Sequence, residues 1–155
     1  MRNLVFVLLF SFIVGQRENI AQKVEPYFGA IIVNNIDSSV LWYSTVLNLK
    51  VENRTGSPEK GFRQANLSNG KLLIELIELE GSISPQKILE EKSPKARLRG
   101  IMKIGFKADN IDSMYNNFKE KKLTFRGNMV TDPLTGKRMF LLPDPDGNYI
   151  QFFEK

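Results

Sequence analysis

The chain has no cysteine and no histidine among its 155 residues. Without cysteine there is no disulfide, no thiolate metal site and no cysteine nucleophile. Without histidine the commonest metal ligand and the commonest general base are both missing. Any metal would rest on oxygen ligands alone, which favours Mg, Ca or Mn over Zn. Concentrated charge is also absent. The net charge is +5, and the basic stretches "KARLR" (95–99) and "EKK" (120–122) are short and mixed. They read as a solvated basic surface, and no nucleic-acid partner is expected. Only one long apolar run exists, "LVFVLLFSFIVG" over residues 4–15, and it has 12 residues. That is short for a bilayer span but suits the h-region of a signal peptide, with Arg2 as its positive flank. The expectation is a signal peptide over residues 1–22, cleaved after Gly15 or Ala21. The protein would then be exported, periplasmic or secreted, with no stable membrane anchor once the signal is removed. An uncleaved anchor or a buried helix is the alternative.

What is present is ordinary in bulk and patterned in detail. Apolar residues make up 42% and charged residues 25%, as in soluble single-domain proteins. The tetrapeptide Asn-Ile-Asp-Ser occurs twice, at 35–38 and 110–113, a spacing of 75. Each copy follows a strand-like run and opens a helix-like stretch. Asp37 and Asp112, or the serines after them, are the expected N-caps, because their oxygens can accept orphan backbone N–H groups. Val40, Leu41, Val46 and Leu47 give the first helix an apolar stripe; Ile111, Met114, Phe118 and Leu123 do so for the second. Trp42, Tyr43, Tyr115 and Phe118 are expected to pack on the back of a sheet.

The matching context favours an internal duplication. Strands are expected at 49–54, 62–68 and 71–79 in the first half, and at 124–127, 137–142 and 149–155 in the second. Asn69-Gly70 is a hairpin signal, since both residues tolerate positive φ. "DPDGN" (144–148) takes the same place in the second half. It is not an EF-hand loop: Gly147 comes too early, and the twelfth position from Asp144 is Lys155, where that loop needs a glutamate. Asp144 and Asp146 therefore read as turn formers that hydrogen-bond their own backbone. Each half is β-α-β-β-β. Modules 26–79 and 101–155 form a single domain over 26–155, joined by a polar linker at 80–100 with a short helix expected over 86–92.

A duplicated βαβββ unit ending in Gly136-x-Arg138, then Asp144-Pro145-Asp146-Gly147-Asn148 and an apolar strand, resembles the vicinal oxygen chelate superfamily. That group includes glyoxalase I, bleomycin-resistance proteins and extradiol dioxygenases. The resemblance implies an α+β fold, with two tandem βαβββ modules forming a cupped mixed sheet and helices on its outer face. It also implies a divalent metal held by four side chains from the first and last strands of each module. The matching positions here carry Phe28, Glu75, Lys103 and Gln151. One typical ligand survives, so no metal and no cofactor are expected, and lyase or dioxygenase activity is doubted.

Strand alternation then sorts the faces. Phe28, Ile32, Glu75, Lys103, Tyr149, Gln151 and Phe153 are expected to face the cup and to contact a ligand. Arg63 is expected there by shared parity with Ala65 and Leu67, and Arg138 as an anion-binding arginine. Glu75 among aliphatic neighbours would need a partner, and Lys103 is the expected one. The functional expectation is a metal-free small-molecule-binding protein, a homodimer by resemblance. The alternatives are a metal-dependent lyase or dioxygenase, and a structural or dimerising domain.

Overall fold

The computed structural model describes residues 25–92 and 99–155. The expected signal segment, residues 1–22, lies outside them. Each module begins with a strand that runs into a capped helix. In the first, β1 (Gly29–Val33) leads to α1 (Ile36–Leu47); in the second, β5 (Lys103–Ala108) leads to α3 (Ile111–Glu120). The caps are Asn35 and Asn110, whose side-chain oxygens accept from Ser38 N and Ser113 N at 2.9 Å. The caps expected at the aspartates or serines are thus displaced. An asparagine in extended backbone already reaches the third helical N–H. Asp37 and Asp112 stand instead in the first turn, where the positive end of the helix favours a carboxylate.

The remaining elements complete two four-stranded sheets. The first contains β2 (Lys50–Ser57), β3 (Phe62–Ser68) and β4 (Leu73–Leu79); the second contains β6 (Val130–Thr131), β7 (Arg138–Pro143) and β8 (Tyr149–Glu154). Their strand orders, β1-β4-β3-β2 and β5-β8-β7-β6, are the same pattern twice. In each, the edge strand pairs in parallel with the last strand, and the other pairs are antiparallel. Two such βαβββ units, with helices on the outer face, make a cupped mixed sheet of the α+β class. The strand expected at 124–127 is not formed. Gly127 takes a left-handed φ of 81°, and β6 follows as a two-residue strand. Between the modules, α2 (Pro85–Lys92) fills the place of the expected linker helix. No helix of the described residues is long and apolar enough to cross a membrane.

The core lies between helices and sheets. Ile36, Val40, Tyr43 and Val46 of α1 meet Ala65, Leu67, Ile74 and Leu76; Ile111, Tyr115 and Phe118 of α3 meet Phe140, Leu142, Ile150 and Phe152. Leu41, expected in the stripe, is 70% exposed. Tyr43, expected to pack on the back of the sheet, does so, and its ring is fully buried.

Tyr43 needs a partner for its hydroxyl. It donates to Asp144 Oδ2 at 2.8 Å, across the module boundary. Asp144 Oδ1 accepts from Asp146 N at 3.0 Å and Asn148 N at 2.7 Å, and Oδ2 also accepts from Asn148 Nδ2 at 3.0 Å. Asp146 reaches the same helix: its Oδ1 accepts from Asn34 N at 2.9 Å, and its Oδ2 from Ser39 Oγ at 3.3 Å. The "DPDGN" stretch is therefore a turn, as the sequence indicates, and also the piece of the second module that grips α1. The linker helix sits over it, since any side chain at Gly147 would run into the Gln86 amide.

Burial, with Asp144 beside it, pushes the Tyr43 phenol far above its ordinary value. Between the unfolded and folded values the folded chain holds a proton that the unfolded chain has released. This contribution to stability is complete below roughly pH 10 and is lost as pH rises further. Denaturant melts from pH 8 to 11 are expected to show that alkaline loss. Tyr43→Phe should be less stable at pH 8 but lose less on the way up. An equal slope in both proteins would refute the assignment.

Candidate functional site

The face opposite the helices is set by alternation along each strand. On β1, Ala30 and Ile32 point to it, and Phe28 precedes them in the same phase. On β4 they are Leu73, Glu75 and Ile77, and on β8 they are Tyr149, Gln151 and Phe153; the residues between them form the core. On β5, Lys103, Gly105 and Lys107 have this phase and are exposed.

Two sets of contacts orient the sheets. Asn34, just past the end of β1, bonds the turn that leads into β8, and β8 begins beside Lys103 at the start of β5. At the other end, the charge of Lys71, just before β4, acts on Asp109, just past β5. Because β1 and β4 start side by side, the start of β1 lies toward the end of β5. The two edge strands thus run in opposite directions.

Seven of the nine expected residues lie on this face: Phe28, Ile32, Glu75, Lys103, Tyr149, Gln151 and Phe153. Their surroundings differ. Phe28 and Ile32 are 53% and 55% exposed, whereas Gln151 is 1% exposed and its amide nitrogen contacts the Met139 sulfur. Tyr149 lies under the Arg126 guanidinium, 4.6 Å from the ring centre, a cation–π contact that parity alone does not reveal.

The other two residues are corrections. Arg63 does share its phase with Ala65 and Leu67, but those residues are fully buried under α1, so that phase is the helix side. Arg63 reaches Asp37 Oδ2 at 2.7 Å and Glu78 Oε2 at 3.4 Å, and Arg54 takes Asp37 Oδ1 at 2.7 Å. Arg138 repeats the arrangement, with Glu154 Oε2 at 2.8 Å and Asp112 Oδ1 at 2.8 Å. The Arg63–Asp37 and Arg138–Asp112 pairs each span 26 residues, so the duplication extends to these ion pairs. Arg63, then Arg54, holds the Asp37 carboxyl below its ordinary range, and Arg138 does the same for Glu154. These arginines tie the first turn of each helix to its sheet. As exposed pairs screened by solvent they add little stability.

The expected Glu75–Lys103 ion pair is also corrected: no ion pair joins them among the described residues. Glu75 is half-buried rather than sealed, so solvent reaches it and the premise for a buried pair fails. Lys103 is exposed, and its charge acts on Asp132, a carboxyl held low mainly by the Thr135 hydroxyl.

The four positions carry a phenyl ring, a carboxylate, an ammonium and a buried amide already in contact with sulfur. That donor set does not fit, because hard cations need several oxygens and no adjacent positive charge. No group of three His, Cys, Asp or Glu residues that could hold a metal occurs among the described residues. A separate groove of about 470 Å³ opens at the ends of β3 and β4, lined by Asn34, Pro58, Arg63, Glu78 and Glu80. Its Arg63 and Glu78 already bond each other.

Two cupped βαβββ modules define the class, and comparison with known proteins agrees. Residues 26–152 match the Glyoxalase/Bleomycin resistance protein/Dioxygenase superfamily, and the chain belongs to that family. It is similar to the uncharacterized protein YwkD of Bacillus subtilis, with 28% identity over 127 residues, covering 81% of this chain and 93% of that protein. Among solved structures it resembles a glyoxalase family protein from Enterococcus faecalis, with 22% identity and a TM-score of 0.71, covering 84% of this chain and 97% of that one. It also resembles the trypanothione-dependent glyoxalase I of Leishmania major, with 18% identity and a TM-score of 0.60, covering 84% of this chain and 87% of that one. At these identities the solved structures speak for the fold alone.

Proposed function

We propose that the chain is a metal-free small-molecule-binding protein whose ligand lies in the cup. One observation carries this reading: where the family resemblance places metal ligands the chain has Phe28, Glu75, Lys103 and Gln151, a poor set of donors for a cation. The exposure of Phe28 and Ile32 on the same face supports it, because small-molecule sites combine apolar walls with a few polar groups. Binding of this kind needs no nucleophile and no general base.

Two measurements on the full chain test the proposal. Dialysis against Mn, Fe(II), Ni or Zn salts, then removal of free metal and elemental analysis, is expected to leave no metal above background. The neutral fluorescent dye N-phenyl-1-naphthylamine is expected to bind, and Ile32→Glu to weaken it about tenfold or more, since the charge would have to be desolvated under the dye. Near-stoichiometric metal that is lost in Glu75→Ala would overturn the proposal in favour of a metal-dependent lyase or dioxygenase. Failure of the dye to bind, or binding indifferent to Ile32→Glu, would leave a structural or dimerising domain.

A further inference from the structure

The two edge strands are alike in geometry and opposite in chemistry. At matching positions, Phe28 just before β1 and Ala30 and Ile32 within it correspond to Lys103, Gly105 and Lys107 of β5. Each strand therefore has its smallest side chain in the middle of its exposed face. Gly105 is the notable member. Its backbone is ordinary strand with no positive φ, so the conformation does not require glycine, and a side chain there would find nothing within 4 Å. Glycine inside a strand weakens the strand, and it often marks a point where a ligand comes close to the backbone. Among the described residues neither Lys103 nor Lys107 has a carboxylate at ion-pair distance. Their Cα atoms, four residues apart along a strand, are separated by roughly 13 Å. Two flexible lysine stems can therefore converge on a group lying over Gly105.

We infer that the cup takes a small amphipathic anion, its acidic group held over Gly105 between Lys103 and Lys107 and its apolar body against Phe28 and Ile32. The inference rests on the proposed binding function and names its ligand class. The opposite run of β1 and β5 sets Ile32 toward the Lys103 end of β5 and Phe28 toward its Lys107 end. Glu75 stands on the same face beside Ala30. It would repel an acidic group placed over the first sheet, which directs that group to the second. Glu75 remains an acceptor for a hydroxyl or amine on the apolar portion.

The test compares two dyes with the same ring system on the full chain. 8-Anilino-1-naphthalenesulfonate carries an acidic group, and N-phenyl-1-naphthylamine does not. The sulfonate is expected to bind more tightly. Lys103→Gln and Lys107→Gln should each weaken it about tenfold, the effect of removing one charge-assisted contact, and weaken the neutral dye by much less, about twofold at most. Lys121→Gln on the outer face removes the same charge and should change neither. Gly105→Val, compatible with a strand, should exclude both dyes without lowering stability. Equal affinities for the two dyes, or an equal loss in Lys121→Gln, would overturn the anion inference while the binding function stands. If neither dye binds, the proposed function fails with it.

Discussion

Replacing Phe140 with alanine is expected to destabilise the folded chain by about 3–5 kcal/mol, the range for emptying a sealed aromatic site. Phe140 is fully buried on β7 and joins every part of the second module's core. Its ring stacks on Phe152 at 5.2 Å and meets Tyr115, Phe125 and Phe118 at 5.2, 5.7 and 6.1 Å between centroids. Those partners come from β8, α3 and the segment after α3, which backbone hydrogen bonding and surrounding packing hold in place. They cannot all close over the gap at once. Chemical denaturation of the full chain checks the magnitude. Leu41→Ala serves as the reference, because that side chain is mostly exposed and its loss should stay within about 0.5 kcal/mol. A Phe140→Ala loss as small as the reference would show that this cluster does not seal the module.

Asp144→Ala is expected to cost about 2–4 kcal/mol, although it removes no core volume. The carboxylate receives the Tyr43 hydroxyl, two backbone N–H groups and the Asn148 amide. The backbone donors belong to a partly exposed turn, and water can replace their partner. The Tyr43 hydroxyl is sealed and has no such substitute. Asp144→Asn keeps an acceptor oxygen and should lose less. The double variant Tyr43→Phe/Asp144→Ala should lose less than the sum of the single variants, because the first change removes the donor that the second strands. Strict additivity would mean that the two residues do not act as a pair.

Much of the architecture can be read from the sequence. The repeated Asn-Ile-Asp-Ser and the two hairpin signals, Asn69-Gly70 and "DPDGN", fix the module pattern, and the alternation of "LIELIEL" gives the faces of β4 correctly. Sequence reading fails where two elements compete for one residue. Asp37 is a plausible cap until Asn35 is seen to take that role, and only then is Asp37 available to Arg63. Arg63 looks like a cup residue if parity is counted without first asking which parity is buried; Ala65 and Leu67 are apolar, and an apolar residue suits either face. Leu41 groups with Val40 as apolar, but the buried stripe runs through Ile36, Val40, Tyr43 and Val46 and leaves Leu41 outside it. The Glu75–Lys103 pair was a deduction from sealed burial, and the half-open face of β4 removes its premise. The candidate site was legible as a list of positions. Its polarity, apolar on one edge strand and basic on the other, emerges once the antiparallel run of β1 and β5 is known.

The contact between Tyr43 and Asp144 joins residues 101 positions apart. A chain made from its N-terminus completes β1, α1 and all of the first sheet before Asp144 exists. During synthesis the first module therefore carries a tyrosine hydroxyl whose partner has not been made, and Asn34 and Ser39 wait on the same turn. Loop closure over that length is slow to be repaid, so docking of the modules belongs to the end of folding. A message truncated before residue 144 would yield a first half with its strands complete and its helix ungripped, a form that quality control could recognise by the unsatisfied surface at one end of α1.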